Sequence, residues 1–186
     1  GWEWAAAWLT QVKGVRVTAV AEALEPPALF EWFTDLRRSL GMDIVPLGPT
    51  AGSDVMRAIR DGHVVCLLSD RFLAGSSVDV EFFGERTRLP AGPATLALRA
   101  GAPLLPAAVY FRGRQHLAIV REPLDTTRRG GLRDDVTRVT QQLAAQLEDL
   151  IRIAPEQWHL MQPNWPSDDD LFPAVRGSTA ASSAAA

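Results

Sequence analysis

The chain of 186 residues is long enough to bury a core of its own, and at 47% hydrophobic and 22% charged it has a globular composition. A formal net charge of −3 lacks the basic footprint of nucleic-acid binding, so nucleic acid is not an expected partner. Cys66 is the only cysteine, which excludes an internal disulfide framework and any multi-cysteine zinc site and fits a reducing compartment.

Lys13 is the only lysine. The arginines that carry the remaining positive charge suit fixed recognition of phosphate or carboxylate, although GC-rich coding gives the same skew. No apolar run approaches the roughly 18 residues needed to span a bilayer, so membrane contact within these residues is expected to be peripheral.

In chain order, residues 3–12 are predicted to be helical, with Trp4, Trp8 and Val12 at four-residue spacing and Lys13-Gly14 as the stop. Val15 to Val20 is a β-branched strand. Glu25-Pro26-Pro27 breaks the chain before a helix from Ala28 to Leu40. Its stripe of Leu29, Trp32, Phe33, Leu36 and Leu40 is expected to face the core, with Arg37 and Arg38 solvated. The alternative is that the stripe meets a bilayer or an acyl chain. Ile44 to Leu47 is a short strand, and Ser53 is the expected N-cap of a helix to Asp61. Val64-Val65-Cys66-Leu67-Leu68 is continuously apolar and predicts a strand covered on both faces, ending in Ser69-Asp70-Arg71.

Val78, Val80 and Phe82 alternate with Asp79 and Glu81, a half-exposed strand that Gly84-Glu85 turns. Residues 84–93 read either as a plain loop-to-helix junction or as an anion site, with Arg86 and Arg88 ahead of a small-residue helix start. Pro93 opens that helix and Gly101 ends it. Leu104 to Phe111 and His116 to Val120 are strands joined by Arg112-Gly113-Arg114. In the longest helix Leu132, Val136, Val139, Leu143, Leu147 and Ile151 hold one face, and Asp134 and Asp135 suit its positive end. Residues 167–186 read as a disordered tail, leaving 1–166 as one domain. The alternation predicts an α/β fold with a mainly parallel central sheet flanked by helices and a site beyond the carboxyl ends of its strands.

Familiar catalytic signatures are missing: there is no GxGxxG, phosphate loop or GxSxG elbow, and His63, His116 and His159 lack metal-ligand spacing. Glu3, between Trp2 and Trp4, is either a solvated first-turn acid favoured by the helix dipole or a catalytic acid. Asp70-Arg71 is either a loop cap with a local ion pair or a functional pair. The aromatic stretch from Trp158 to Trp165 reads as a packed plug.

Taken in order, several blocks carry a resemblance. They are Gly1-Trp2-Glu3, Leu40-Gly41 ahead of Val45-Pro46-Leu47, Val64 to Arg71, Val80 to Gly84, Thr87 to Ala94 with Leu96-Ala97, Gly101-Ala102-Pro103, and Trp158 to Pro163. Together they resemble the bacterial lipid acyltransferases that include the late acyltransferases of lipid A biosynthesis, nearest the actinobacterial phosphatidylinositol mannoside acyltransferases. That resemblance implies a glycerolipid acyltransferase-like fold, incomplete at its N-terminus. It implies transfer of a long acyl chain from acyl-CoA, the donor substrate, to a hydroxyl of a membrane glycolipid, with neither metal nor redox cofactor. The expected place is the cytoplasmic face of the plasma membrane.

Family members open their active site with a pattern like H-x-G-N-W-D/E, of which Gly1-Trp2-Glu3 matches the end, with Gly1 in place of the usual Asn. The resemblance therefore places the general-base histidine three positions ahead of Gly1 and makes Glu3 the motif acid. Asp70 occupies the position of a strand-end carboxylate, commonly Glu in the family, that pairs with this histidine, and Phe72 replaces an acid that follows it. By position, Glu22, Arg37 and His159 match polar residues of the acceptor pocket. Arg71 and Arg88 are further substrate-binding candidates. Ala23 and Glu25 depart from the usual Arg and Lys. Lysophospholipid or lipid A precursor acceptors, and a non-catalytic lipid-binding relative, are the competing readings.

Overall fold

The computed structural model describes residues 1–22, 24–72 and 75–168. Ala23 and residues 169–186, which include most of the expected tail, lie outside them. Ser167 and Asp168, at the start of that tail, are tied down. Asp168 accepts N–H bonds from Asn164 and Trp165, and Ser167 bonds Glu85.

Helix α1 (Trp2–Gln11) leads into β1 (Val17–Ala21), α2 (Pro27–Ser39), β2 (Met42–Pro46), α3 (Ala51–Arg60) and β3 (Val64–Cys66). The order in the sheet is β2-β1-β3, and both pairings are parallel. Parallel neighbours need crossovers, and α2 and α3 supply them. Central β1 is built of small and β-branched residues, Val17, Thr18, Ala19 and Ala21 being buried. Ala6 and Ala7 of α1 can therefore lie close against Val17 and Met42.

Val64 to Leu68 does not form the central strand. Only Val64–Cys66 is a strand, it pairs with β1 at the sheet's edge, and Val64 and Leu68 are 42% and 60% exposed. A continuous apolar run shows that both faces of a segment are apolar. It does not show that anything covers them. Ser53 is not the N-cap either: α3 starts earlier, and the Ser53 hydroxyl donates to the Thr50 carbonyl at 2.7 Å.

The rest of the sheet structure is antiparallel, which corrects the expectation of a mainly parallel sheet. Strand β4 (Ser77–Phe82) pairs with β5 (Glu85–Pro90), and β6 (Ala107–Arg112) with β7 (Gln115–Val120). Residues 85–90 are thus a strand rather than a loop. Thr87 and Leu89 are buried, while Arg86 and Arg88 point outward opposite Glu81 and Asp79. The turn is Phe83-Gly84, with φ of 56° and 81°, the left-handed pair that a tight hairpin demands. Phe83 tolerates it because its N–H donates to Glu148 at 2.8 Å and its ring stacks on Trp158, centroids 5.7 Å apart.

Helix α5 (Leu132–Ile153) packs along β4 and along α4 (Gly92–Ala100), and a short 3₁₀ turn, Pro155–Gln157, follows it. Its expected stripe faces inward, with Val136, Val139 and Leu143 buried. Phe82, fully buried, sits among Leu89, Ala144, Trp158 and Trp165. The buried Tyr110 hydroxyl of β6 donates to the Leu150 carbonyl at 2.6 Å. Tyr110→Phe is expected to lose about 0.5–1.5 kcal/mol, read as a lower urea midpoint at unchanged m.

Helix α2 departs most from expectation. Leu29, Trp32 and Leu36 are exposed, and Thr34 is its buried residue. Arg37, expected in solvent, is largely covered. Apolar periodicity identifies a stripe but not its partner: α2 packs on β2, an edge strand with Asp43 exposed, and turns Arg37 toward α1.

Candidate active site

The carboxyl ends of β1 and β3 bring together residues far apart in sequence. Glu22 follows β1, and Asp70 and Arg71 follow β3. The Arg71 guanidinium reaches Glu22 at 3.4 Å and the side-chain oxygen of Gln162 at 2.7 Å. Asp70 Oδ2 accepts the indole N–H of Trp158 at 2.7 Å. Among the described residues Asp70 Oδ1 has no hydrogen-bond partner, so one oxygen is held and the other is available. The sequence reads Trp158 and Gln162 as part of a packed plug. Their bonds to Asp70 and Arg71 are what that reading missed.

Glu3, on the first turn of α1, is held by a separate set of contacts. Thr10, in the last turn of α1, donates to the Leu40 carbonyl just before β2, so the end of α1 sits at the strands' amino ends. Ala6 and Ala7, midway along α1, meet Val17 and Met42 at the starts of β1 and β2, and Glu3 lies about one turn further along the helix. Helical side chains lean toward the helix N-terminus, which carries Arg37 up α2 to Glu3, where it donates at 3.0 Å. The same guanidinium lies over Trp2, 5.1 Å from its centroid, and over Phe33 at 5.4 Å.

Burial pushes the Glu3 carboxyl up, but the Arg37 bond, its own backbone N–H and the nearby positive charges of Gly1 and Arg37 outweigh this and hold it below its ordinary value. Glu3 is therefore anionic at neutral pH, at the positive end of α1. Glu3 and Asp70 share no partner among the described residues. Arg88 stands apart on the hairpin: its Nε donates to Ser77, and its guanidinium lies over Phe72, two residues beyond Asp70. His159 is exposed. No group of His, Cys, Asp and Glu among the described residues is arranged to hold a metal ion.

The sequence matches the family model for bacterial lipid A biosynthesis acyltransferases over residues 1–167, nearly all that the structure describes. The chain belongs to this family. Among curated relatives, phosphatidylinositol mannoside acyltransferases from two strains of Mycobacterium tuberculosis are 41% identical over 170 residues, 90% of this chain and 52% of theirs. The protein of that description from Mycolicibacterium smegmatis is 40% identical over 90% of this chain and 54% of its own. The chain spans about half the length of the curated relatives it matches. The acyltransferase family match takes in every candidate residue, from Glu3 to His159.

Proposed function

We propose that the protein transfers a long-chain, palmitoyl-like acyl group from acyl-CoA to a hydroxyl on a mannose of a phosphatidylinositol mannoside. The observation that carries this reading is the identity of about 40% to phosphatidylinositol mannoside acyltransferases over nine-tenths of the chain. The gathering of Glu22, Asp70 and Arg71 at one end of the parallel sheet supports it.

In this reading the base is the family's motif histidine, three positions ahead of Gly1. It removes the proton of the acceptor hydroxyl as that oxygen attacks the thioester carbonyl. A C–O bond forms, the C–S bond breaks, and the imidazolium returns the proton to the departing CoA thiolate. Glu3 acts as motif acid. Asp70 offers its unheld oxygen to the imidazole, fixing its orientation and stabilising its cation. Glu22, Arg37 and His159 line the acceptor side, and Arg71 and Arg88 offer fixed cations to anionic groups of donor or acceptor.

Membrane contact in this proposal is peripheral, at the cytoplasmic face, through the exposed stripe of α2 with Arg38 beside it. No helix among the described residues is long and apolar enough to cross a bilayer. The test is thin-layer analysis of full-length protein with radiolabelled palmitoyl-CoA and, in parallel, mannosylated phosphatidylinositol, lysophospholipid and lipid A precursor. Label moving only to the mannoside is expected. Label moving to another acceptor instead overturns the acceptor, and none at all overturns the activity. The 186 residues alone, without the motif histidine, are expected to be at least about 10²-fold slower.

A further inference from the structure

We infer that Trp158 is a positioning residue for the strand-end acid, holding one carboxylate oxygen of Asp70 through its indole N–H so that the other is aimed at the base. The inference rests on the acyl-transfer reading above. Several observations carry it. The Nε1–Oδ2 distance of 2.7 Å is at the short end for an N–H donor. Asp70 lies beyond the last residue of β3, on a segment without a ladder to fix it, so its side chain needs an outside anchor.

Trp158 is itself immobilised. Its ring stacks on Phe83 at 5.7 Å and meets Phe82 and Trp165 edge-on at 6.0 and 6.1 Å, inside the aromatic cluster that α5 and the β4–β5 hairpin enclose. An indole N–H is a donor only, so this bond holds Asp70 as an acceptor at Oδ2. Gln162, four residues on, holds Arg71 in the same way, so the segment after α5 straps both strand-end residues.

A paired substitution isolates the role in the full-length protein. Trp158→Phe keeps an aromatic ring and removes the donor. Trp165→Phe does the same in the same cluster, but its N–H serves the Phe82 carbonyl at 2.8 Å, away from Asp70. Trp158→Phe is expected to lower kcat about tenfold, the effect of a lost hydrogen bond to a charged group, with KM for acyl-CoA and acceptor unchanged. Trp165→Phe should lower thermal stability comparably and leave kcat within about twofold. In an Asp70→Asn background, Trp158→Phe should cost nothing further, because the two act as a unit.

Equal kcat losses for the two Trp variants, or full additivity with Asp70→Asn, would overturn the positioning role. The bond itself is read without turnover. In ¹⁵N-labelled protein the Trp158 indole signal should be protected from exchange, and it should move and lose protection on Asp70→Ala, while the Trp165 signal stays. A Trp158 signal indifferent to Asp70→Ala refutes the bond. An inactive wild type with a responsive Trp158 signal refutes the proposed reaction, and with it the catalytic role, but not the bond.

Discussion

Replacing Asp70 with alanine in the full-length protein is expected to lower kcat for acyl transfer on the order of 10²–10⁴-fold, with little change in KM for either substrate. The asymmetry follows from where the charge acts. An imidazole gains its positive charge only as the acceptor hydroxyl is deprotonated, so a carboxylate beside it stabilises the transition state more than the ground state. One oxygen of Asp70 is held by Trp158, and the residue is half-buried. Asp70→Asn should keep an acceptor for the indole while removing the charge, and so fall almost as far in kcat. Asp70→Glu, the residue common in the family, should retain most of the rate. Thermal melts of each variant within a few degrees of wild type would separate lost chemistry from lost fold. An Asp70→Ala protein with full activity would remove Asp70 from the mechanism.

What the sequence disclosed and what it hid divide along the range of the interactions. The stripe of α5 was legible because a helix repeats its inward face every three to four residues, and Val136, Val139 and Leu143 do so without interruption. The β6–β7 hairpin was legible because its turn is local. Strand β5 was not, because its outward residues are the arginines at 86 and 88 and its inward ones, Thr87 and Leu89, are too few to announce a period. That Asp70 follows a strand was legible from an apolar run meeting a polar stop, although the strand itself ends earlier, at Cys66. Its anchor did not, because Trp158 lies 88 residues away, as Gln162 lies 91 from Arg71 and Arg71 lies 49 from Glu22. Sequence spacing says nothing about such pairs until a fold closes the loop between them. Arg37 shows the same limit on a smaller scale: its place on an amphipathic helix suggested solvent, and only the parallel course of α1 and α2 turns it to Glu3.

The largest effect on the fold should come from Asp135→Asn, at the start of α5. Asp134 and Asp135 look equivalent as first-turn acids, yet Asp135 is 2% exposed and carries a network. It accepts from Arg128 Nε and from a terminal nitrogen of Arg138, both at 3.0 Å, and from the backbone N–H groups of Arg129 and Gly130. Arg138 in turn donates to the carbonyls of Asp125 and Thr127, so one carboxylate gathers the loop before α5 onto its first turns. Burial alone would push the Asp135 carboxyl up. The Arg138, Arg129, Gly130 and Arg128 bonds outweigh that and lower it from 3.8 to about 2. A carboxyl depressed in the folded state stabilises at every pH above its unfolded value and loses that contribution as pH falls through its folded value. Asn keeps an acceptor but leaves the arginines without their counter-charge, and breaking a buried pair from one side is costly. The variant should therefore melt roughly 6–15 °C below wild type at neutral pH. The gap should hold down to about pH 4 and narrow from there toward pH 2, where wild-type Asp135 also becomes neutral. Calorimetry of both proteins across that range decides the matter: a gap that stays constant through pH 2 would mean that the charge of Asp135 is not what ties the loop to α5.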